Sequence, residues 1–247
     1  MSGFATLRAQ LRRRILVSYR VDPVVAQDLV PEPFRPQLID GSAVAGVCII
    51  GLTSVRPGWF RPRVGFRTEN VAHRIGVEWD EDGEIKTGVY ITERHSSSLL
   101  PVLAGGRLFP GVQKHARFTL DETASRYRVR MSAPGTNVAV DVRVGGDFAS
   151  TLFDSVESAS TFYRQGAVGW SPRRDGNGAE PVELTSEAWA AEGGEVLSLQ
   201  SSFFDALPAG SAILDSVIVM RDIPFFWDIP TGRPDAIARP AAEPVTA

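Results

Sequence analysis

The chain carries a single cysteine, Cys48, in 247 residues, so no disulfide can form within it. Lysine is almost as scarce: Lys86 and Lys114 stand against 24 arginines. Long apolar runs are missing too. The longest, Ala43 to Leu52, is about half of what a membrane-spanning helix needs, and Ile15-Leu16-Val17 is too short to be the apolar core of a secretory leader. There is no excess of positive charge: the net charge is −3, and the arginines are scattered among acids, which removes the electrostatic footprint of nucleic-acid binding. A Gly-x-Ser-x-Gly elbow and a phosphate-cradling glycine loop are both absent. These absences lead to the expectation of a cytoplasmic protein with neither a nucleic-acid nor a membrane partner.

What is present suits a sizeable core. Hydrophobic residues make up 43% of the chain, enough for one large domain over residues 1–230. Residues 231–247, rich in Pro and Ala, read as a tail. Arg14 to Val21 is rich in β-branched and aromatic residues and reads as a strand, after which Asp22-Pro23 caps and opens a short helix over Val24 to Leu29. The run Ala43 to Thr53 reads as a strand buried on both faces. Two strands, Asn70 to Trp79 and Lys86 to Thr92, flank the hairpin signal Asp80-Glu81-Asp82-Gly83. A second hairpin is expected from Gln113 to Leu120 and Arg126 to Met131, followed by a strand over Thr136 to Val144. A helix is expected over Ser155 to Arg164, with Asp154 or Ser155 as its cap. Val168 to Glu180 reads as a loop, and Val182 to Leu184, Glu195 to Ser201 and Ile213 to Met220 as strands. Many strands with few short helices predict an α+β, mainly β architecture: an antiparallel barrel or strongly curved sheet with helices outside.

Candidate chemistry centres on Gly105 to Phe118, where glycines, Pro110, Arg107, Lys114 and His115 lie between apolar residues and lead into a strand. In an arginine-rich chain, a lysine here has a chemical reading: a desolvated amine can lose its proton and attack a carbonyl. The bland reading is a lysine that snorkels to water. Lys86, beside an acidic turn, is assigned no role. Arg12-Arg13-Arg14 reads as a solvated face and Cys48 as a small hydrophobe. Of the three histidines, His73 reads as a satisfied or exposed strand residue, while His95 and His115 flank the central stretch and are candidates to line a pocket. No histidine pair has compact ligand spacing, and no metal is expected. Glu93 is a candidate acid or base, or the partner of Arg94 or Arg107. The loop Val55 to Phe66 could be a lid or the wall of a pocket.

Several segments resemble a known family. Arg12 to Pro23 and Leu29-Val30-Pro31-Glu32-Pro33 resemble the opening of acetoacetate decarboxylases, and Gly106-Arg107 followed by Gly111-Val112-Gln113-Lys114-His115 resembles their lysine signature. Glu69 to Arg74, Gly88 to Ile91, Gly105 to Gly111, Ser202 to Asp205 and Met220 to Pro224 resemble the domain-of-unknown-function 2071 branch of that superfamily. The resemblance implies a cone-shaped antiparallel β-barrel with flanking short helices around an enclosed pocket. It also implies a keto acid or apolar carboxylate as ligand, no cofactor, and room for a homo-oligomer. In register, Lys114 falls on the Schiff-base lysine and Arg12 on an arginine that meets the substrate carboxylate. His115 replaces the signature's second lysine, and Asn70 falls at the catalytic glutamate, with Glu69 one residue away and so on the other face of a strand. Two functions follow. One is a cofactor-free lyase (decarboxylase or aldolase/dehydratase type) using Lys114, with Arg12 or Arg107 on the carboxylate and Glu69, Glu93 or His115 moving protons. The other is a non-catalytic protein that binds a small metabolite in the same pocket.

Overall fold

A computed structural model of the chain describes residues 4–57, 59, 65–99, 112–166, 168–173, 176, 178–185 and 189–230. Strand β1 (Phe4–Val21) is followed by helix α1 (Pro23–Asp28), short strands β2 (Arg35–Pro36) and β3 (Leu38–Ile39), and the long β4 (Ser42–Pro57), β5 (Phe66–Glu81) and β6 (Glu84–Ser96). Next come β7 (Gln113–His115), β8 (Arg117–Glu122), β9 (Arg126–Ala133), β10 (Thr136–Val144), α2 (Val156–Gln165), β11 (Val168–Pro172), β12 (Ala179–Thr185) and β13 (Ala191–Ser201). The last elements are α3 (Ser202–Asp205) and β14 (Ala212–Pro230). The fold is mainly β with few, short helices, as the strand-rich pattern predicts.

Local chemistry explains the boundaries. The Asp22 carboxylate accepts from the backbone N–H groups of Val24 and Val25 at 2.8 and 3.3 Å, with Pro23 at the first helical turn, so donors left over at the helix start are satisfied. Ser155 and Ser158 form a reciprocal capping box at α2. Asp82 and Gly83 turn β5 into β6 at φ 52° and 80°, the pair of left-handed conformations a two-residue hairpin requires. Val168 to Pro172, read as loop, is instead strand β11. It is anchored by Gly169 and Trp170 against Val89 and Tyr90 of β6, a pairing between distant parts of the chain that local composition does not encode.

Along the sheet the neighbours run β1-β4-β5-β6-β11-β12-β14-β13-β10-β9-β8, and β14 also pairs with β1 from Phe4↔Pro230 to Val21↔Ala212. The expectation of a wholly antiparallel sheet needs one correction: β6 takes two parallel neighbours, β11 at Val89–Tyr90 and β7 at Arg94–Ser96. Among the described residues no strand pairs with residues 91–93 on that edge of β6.

Period-two alternation divides the core into two layers. Ile15, Val17, Val47, Ile49, Val71 and Ile75 face β9, β10 and α3, joining Val129, Val140 and Phe204. Leu16, Val44 and Cys48 face α2, against Phe153, Phe162 and Tyr163. β4 is therefore buried on both faces, as its unbroken hydrophobicity suggests. Gly46 makes this crowding possible, since a Cβ there would lie 2.1 Å from the Val17 carbonyl oxygen.

Candidate functional site

On the face of β5 that carries Glu69, two arginines converge on two acids. Arg13 is completely buried; its Nη1 and Nη2 donate to Glu69 Oε2 at 2.9 and 2.7 Å, and its Nε lies 2.8 Å from Glu122 Oε1. Arg12 donates to Glu69 Oε1 at 3.0 Å and also pairs with Glu122. Burial pushes the Arg13 guanidinium down to about 10, opposed by Glu69. The reading of Arg12-Arg13-Arg14 as a solvated face is thus corrected. β1 runs through the middle of the sheet, and Arg13 and Arg14 are inside because acids, sulfur and aromatic rings receive them.

Lys114 lies close by on β7, paired in register with His95. Its ammonium donates to Glu93 Oε1 at 3.1 Å, and about half of the side chain (52%) is in solvent. Glu93 also accepts from Thr136 Oγ1 at 3.2 Å and lies 3.9 Å from His73 Nδ1. Burial raises the Glu93 carboxyl, but the Lys114 hydrogen bond and the surrounding positive charge outweigh it and hold the group below the usual carboxylate range. His73 is fully enclosed, its Nε2 is 3.0 Å from Ser201 Oγ, and burial pushes it down to about 4. It is a buried strand histidine, bonded through Nε2 while its Nδ1 has no hydrogen-bond partner. His115 is exposed, and Lys86 pairs with Glu84.

The opposite face of the same strands opens a cleft of about 120 Å³, walled by Ile50, Leu52, Val55, Phe66, Ala72 and Ile91. That is the scale of cavity that takes a benzene-sized molecule. Polar side chains enter at a few points: Thr68, Asn70, Gln113, Arg14, Arg74, Arg94 and the Cys48 thiol, while His95, in register with Lys114 and Val71, borders the cleft from the other face of β6. Both ring nitrogens of His95 lack a hydrogen-bond partner, and burial lowers its pKa. Arg74 is 6% exposed; Nε and Nη2 are unpartnered, and its guanidinium lies 4.6 Å from the Tyr163 ring centroid. Burial lowers its pKa. A buried cation with no acid beside it costs several kcal/mol, only partly offset by contact with an aromatic face.

The expected site residues therefore separate. Asn70 lines the cleft and His95 borders it. Lys114, Glu93, Glu69 and Arg12 are engaged in ion pairs outside it. Lys114 does not lie in an enclosed space: neighbours on a strand point to opposite faces, and it is Gln113 that lines the cleft. Arg107, with the rest of the stretch 105–111, falls outside the described residues, as does the tail 231–247. Both ends of the loop read as a lid or wall, Val55 and Phe66, line the cleft, while Trp59 is exposed. Sequence reasoning missed Arg14, Arg74 and Cys48; their signal was a shared face, visible only once the register of β1, β4 and β5 is known. Among the described residues no group of three His, Cys, Asp or Glu could hold a metal, and no helix is long and apolar enough to cross a membrane.

Comparison with known proteins agrees with this architecture. The family model DUF2071, described as an uncharacterized conserved protein, matches residues 8–206. A solved acetoacetate decarboxylase from Legionella pneumophila subsp. pneumophila strain Philadelphia 1 is 17% identical, with 94% of this chain and 87% of that one covered at a TM-score of 0.60. An acetoacetate decarboxylase-like enzyme from Sphingomonas wittichii RW1 is 15% identical over 93% of this chain and 91% of that one, at 0.57. The enduracididine biosynthesis enzyme MppR, complexed with the condensation product of pyruvate and imidazole 4-carboxaldehyde, is 13% identical over 98% and 92%, at 0.58. No curated protein matches the sequence significantly. At such identities the likeness is one of fold.

Proposed function

The chain belongs to the DUF2071 family and has an acetoacetate decarboxylase-like fold; from that premise we propose that it binds a small carbonyl or carboxylate metabolite, without a covalent link, in the cleft beside Asn70 and His95. The observation that carries this reading is the division of β7, in which Gln113 lines the apolar cleft while the adjacent Lys114 is held by Glu93 at the solvent. An apolar hollow with a few convergent polar groups is the usual form of a small-molecule site. The pairing of β14 with both β12 and β1 supports a cone-shaped barrel as the scaffold, spanning a single domain over residues 1–230; the resemblance to the superfamily is the ground for proposing a homo-oligomer, and the short apolar run near the N-terminus that for proposing a cytoplasmic one. MppR has also been seen with pyruvate, which makes pyruvate and acetoacetate the first compounds to titrate by calorimetry. Binding that is lost in Ala72→Leu, which fills the cleft, supports the proposal; binding of the same strength in that variant refutes it.

A second reading has one observation in its favour. The Glu93 carboxylate 3.1 Å from the Lys114 amine is an acid–base pair of the kind an imine mechanism uses. On this reading the protein is a cofactor-free lyase, with a Schiff base at Lys114, protons moved by Glu93, Glu69 or His115, and Arg12 or Arg107 on the substrate carboxylate. Borohydride added with acetoacetate would then leave a covalent adduct at Lys114, and an unchanged mass eliminates it.

A further inference from the structure

The strand register places Arg14, Cys48 and Arg74 on one face. Arg14 is paired with Ile50, Cys48 is two residues along β4 from Ile50, and Arg74 is paired with Gly46, two residues further in the same direction. The thiol thus lies diagonally between the two arginines. Arg14 Nε donates to Cys48 Sγ at 3.4 Å. Each guanidinium is backed by a ring, Arg14 by Trp189 at 5.6 Å and Arg74 by Tyr163 at 4.6 Å, and Tyr163 is itself tied to Ser18 by a 2.6 Å hydrogen bond. Rings behind the planar forks leave the N–H edges free for recognition.

Those edges have little to bind within the protein. Arg12, Arg13, Arg35 and Arg126 each reach an aspartate or glutamate. Among the described residues Arg14 and Arg74 reach none, and Arg74 Nε and Nη2 have no hydrogen-bond partner. Both side chains line the cleft, with the aliphatic and aromatic groups of Ile50, Leu52, Phe66 and Ile91, the neutral polar groups of Asn70 and Gln113, and a third arginine, Arg94, whose charge Glu180 offsets. Two buried cations that reach no acid, in a hollow with largely apolar walls, are complementary to a small molecule with an anionic head and a short apolar body. The planar fork of arginine matches a carboxylate in particular.

We infer that Arg14 and Arg74 form a carboxylate clamp beside the Cys48 thiol, which anchors a short-chain carboxylate in the cleft by its anionic end. The clamp deepens the proposed binding function and rests on it. It is separate from Arg12, whose guanidinium is taken up by Glu69 and Glu122.

The test compares butyrate with butyramide, which has nearly the same shape and no charge, by calorimetric titration of the full chain. The clamp requires butyrate to bind at least about tenfold more tightly than butyramide, and Arg14→Gln to abolish that preference. Butyrate should also slow the alkylation of Cys48 by iodoacetamide, read by intact mass on the chain's single thiol. Equal binding of the two compounds overturns the clamp and leaves the cleft as a ligand site. Failure of both compounds, together with pyruvate and acetoacetate, removes the cleft reading itself and the clamp with it. A charge preference that survives in both Arg14→Gln and Arg74→Gln places the anion elsewhere and overturns the inference even if one variant folds poorly.

Discussion

The Lys114 ammonium donates to Glu93 Oε1 at 3.1 Å while half of the lysine side chain remains in water. A partly exposed pair of this kind contributes at most about 1 kcal/mol. Lys114→Met should therefore shift the urea midpoint only slightly and leave butyrate affinity in the cleft unchanged. A loss of ligand binding in that variant would move the site to the lysine face and favour the imine reading.

Glu69 has a different expected behaviour. It receives two hydrogen bonds from the fully buried Arg13, and removing one partner of a buried ion pair leaves an uncompensated charge. Glu69→Ala should cost about 3 kcal/mol in denaturant unfolding, with Glu122 retaining part of the compensation. A variant of native stability with altered ligand chemistry would instead mark Glu69 as catalytic.

Stability should fall in acid because of His73. Burial pushes its folded pKa down to about 4, with Glu93 opposing and His95 adding to the shift, while in the unfolded chain it titrates near 6.5. Between those values the unfolded state takes up a proton that the folded state refuses, so the contribution is complete above about pH 6.5 and is lost as pH falls toward 4. The loss is about 3 kcal/mol between about pH 7.5 and pH 4. His73→Asn should flatten that part of the pH profile. A slope identical to the parent's would show that other groups set it.

Gly46→Ala should destabilise the protein by about 2 kcal/mol, because the added methyl group meets the Val17 backbone carbonyl across the β1–β4 pair and neither strand can shift freely. Gly41, whose side-chain position is open, serves as a partial control. Its φ of 77° still disfavours alanine, so a smaller loss is expected there. Thermal unfolding of both variants checks the order.

Much of the fold was legible in the sequence because it was written in local patterns. Asp22-Pro23 and Ser155 capped the helices they promised, Asp82-Gly83 made its hairpin, and Thr136–Val144 forms the expected strand. β11 was not legible, since its partner lies in β6 and nothing within Val168–Pro172 announces it. The candidate site was legible only in part for the same reason. Asn70 lines the cleft and His95 borders it, yet Gln113 takes the place anticipated for Lys114 because a one-residue offset exchanges the faces of a strand. Arg14 and Arg74 lie some 60 residues apart and share a face only because β1, β4 and β5 align.

The edge of β6 between its two parallel neighbours has a consequence of its own. β11 covers Val89 and Tyr90, β7 covers Arg94 to Ser96, and among the described residues no strand covers Ile91, Thr92 or Glu93 on that side. Main-chain groups directed outward there lie at a notch bordered by Ile91, His95 and Gln113 of the cleft. Deuterium should enter that short stretch sooner than the flanking amides, and its slowing by a bound guest would report occupancy from the backbone itself.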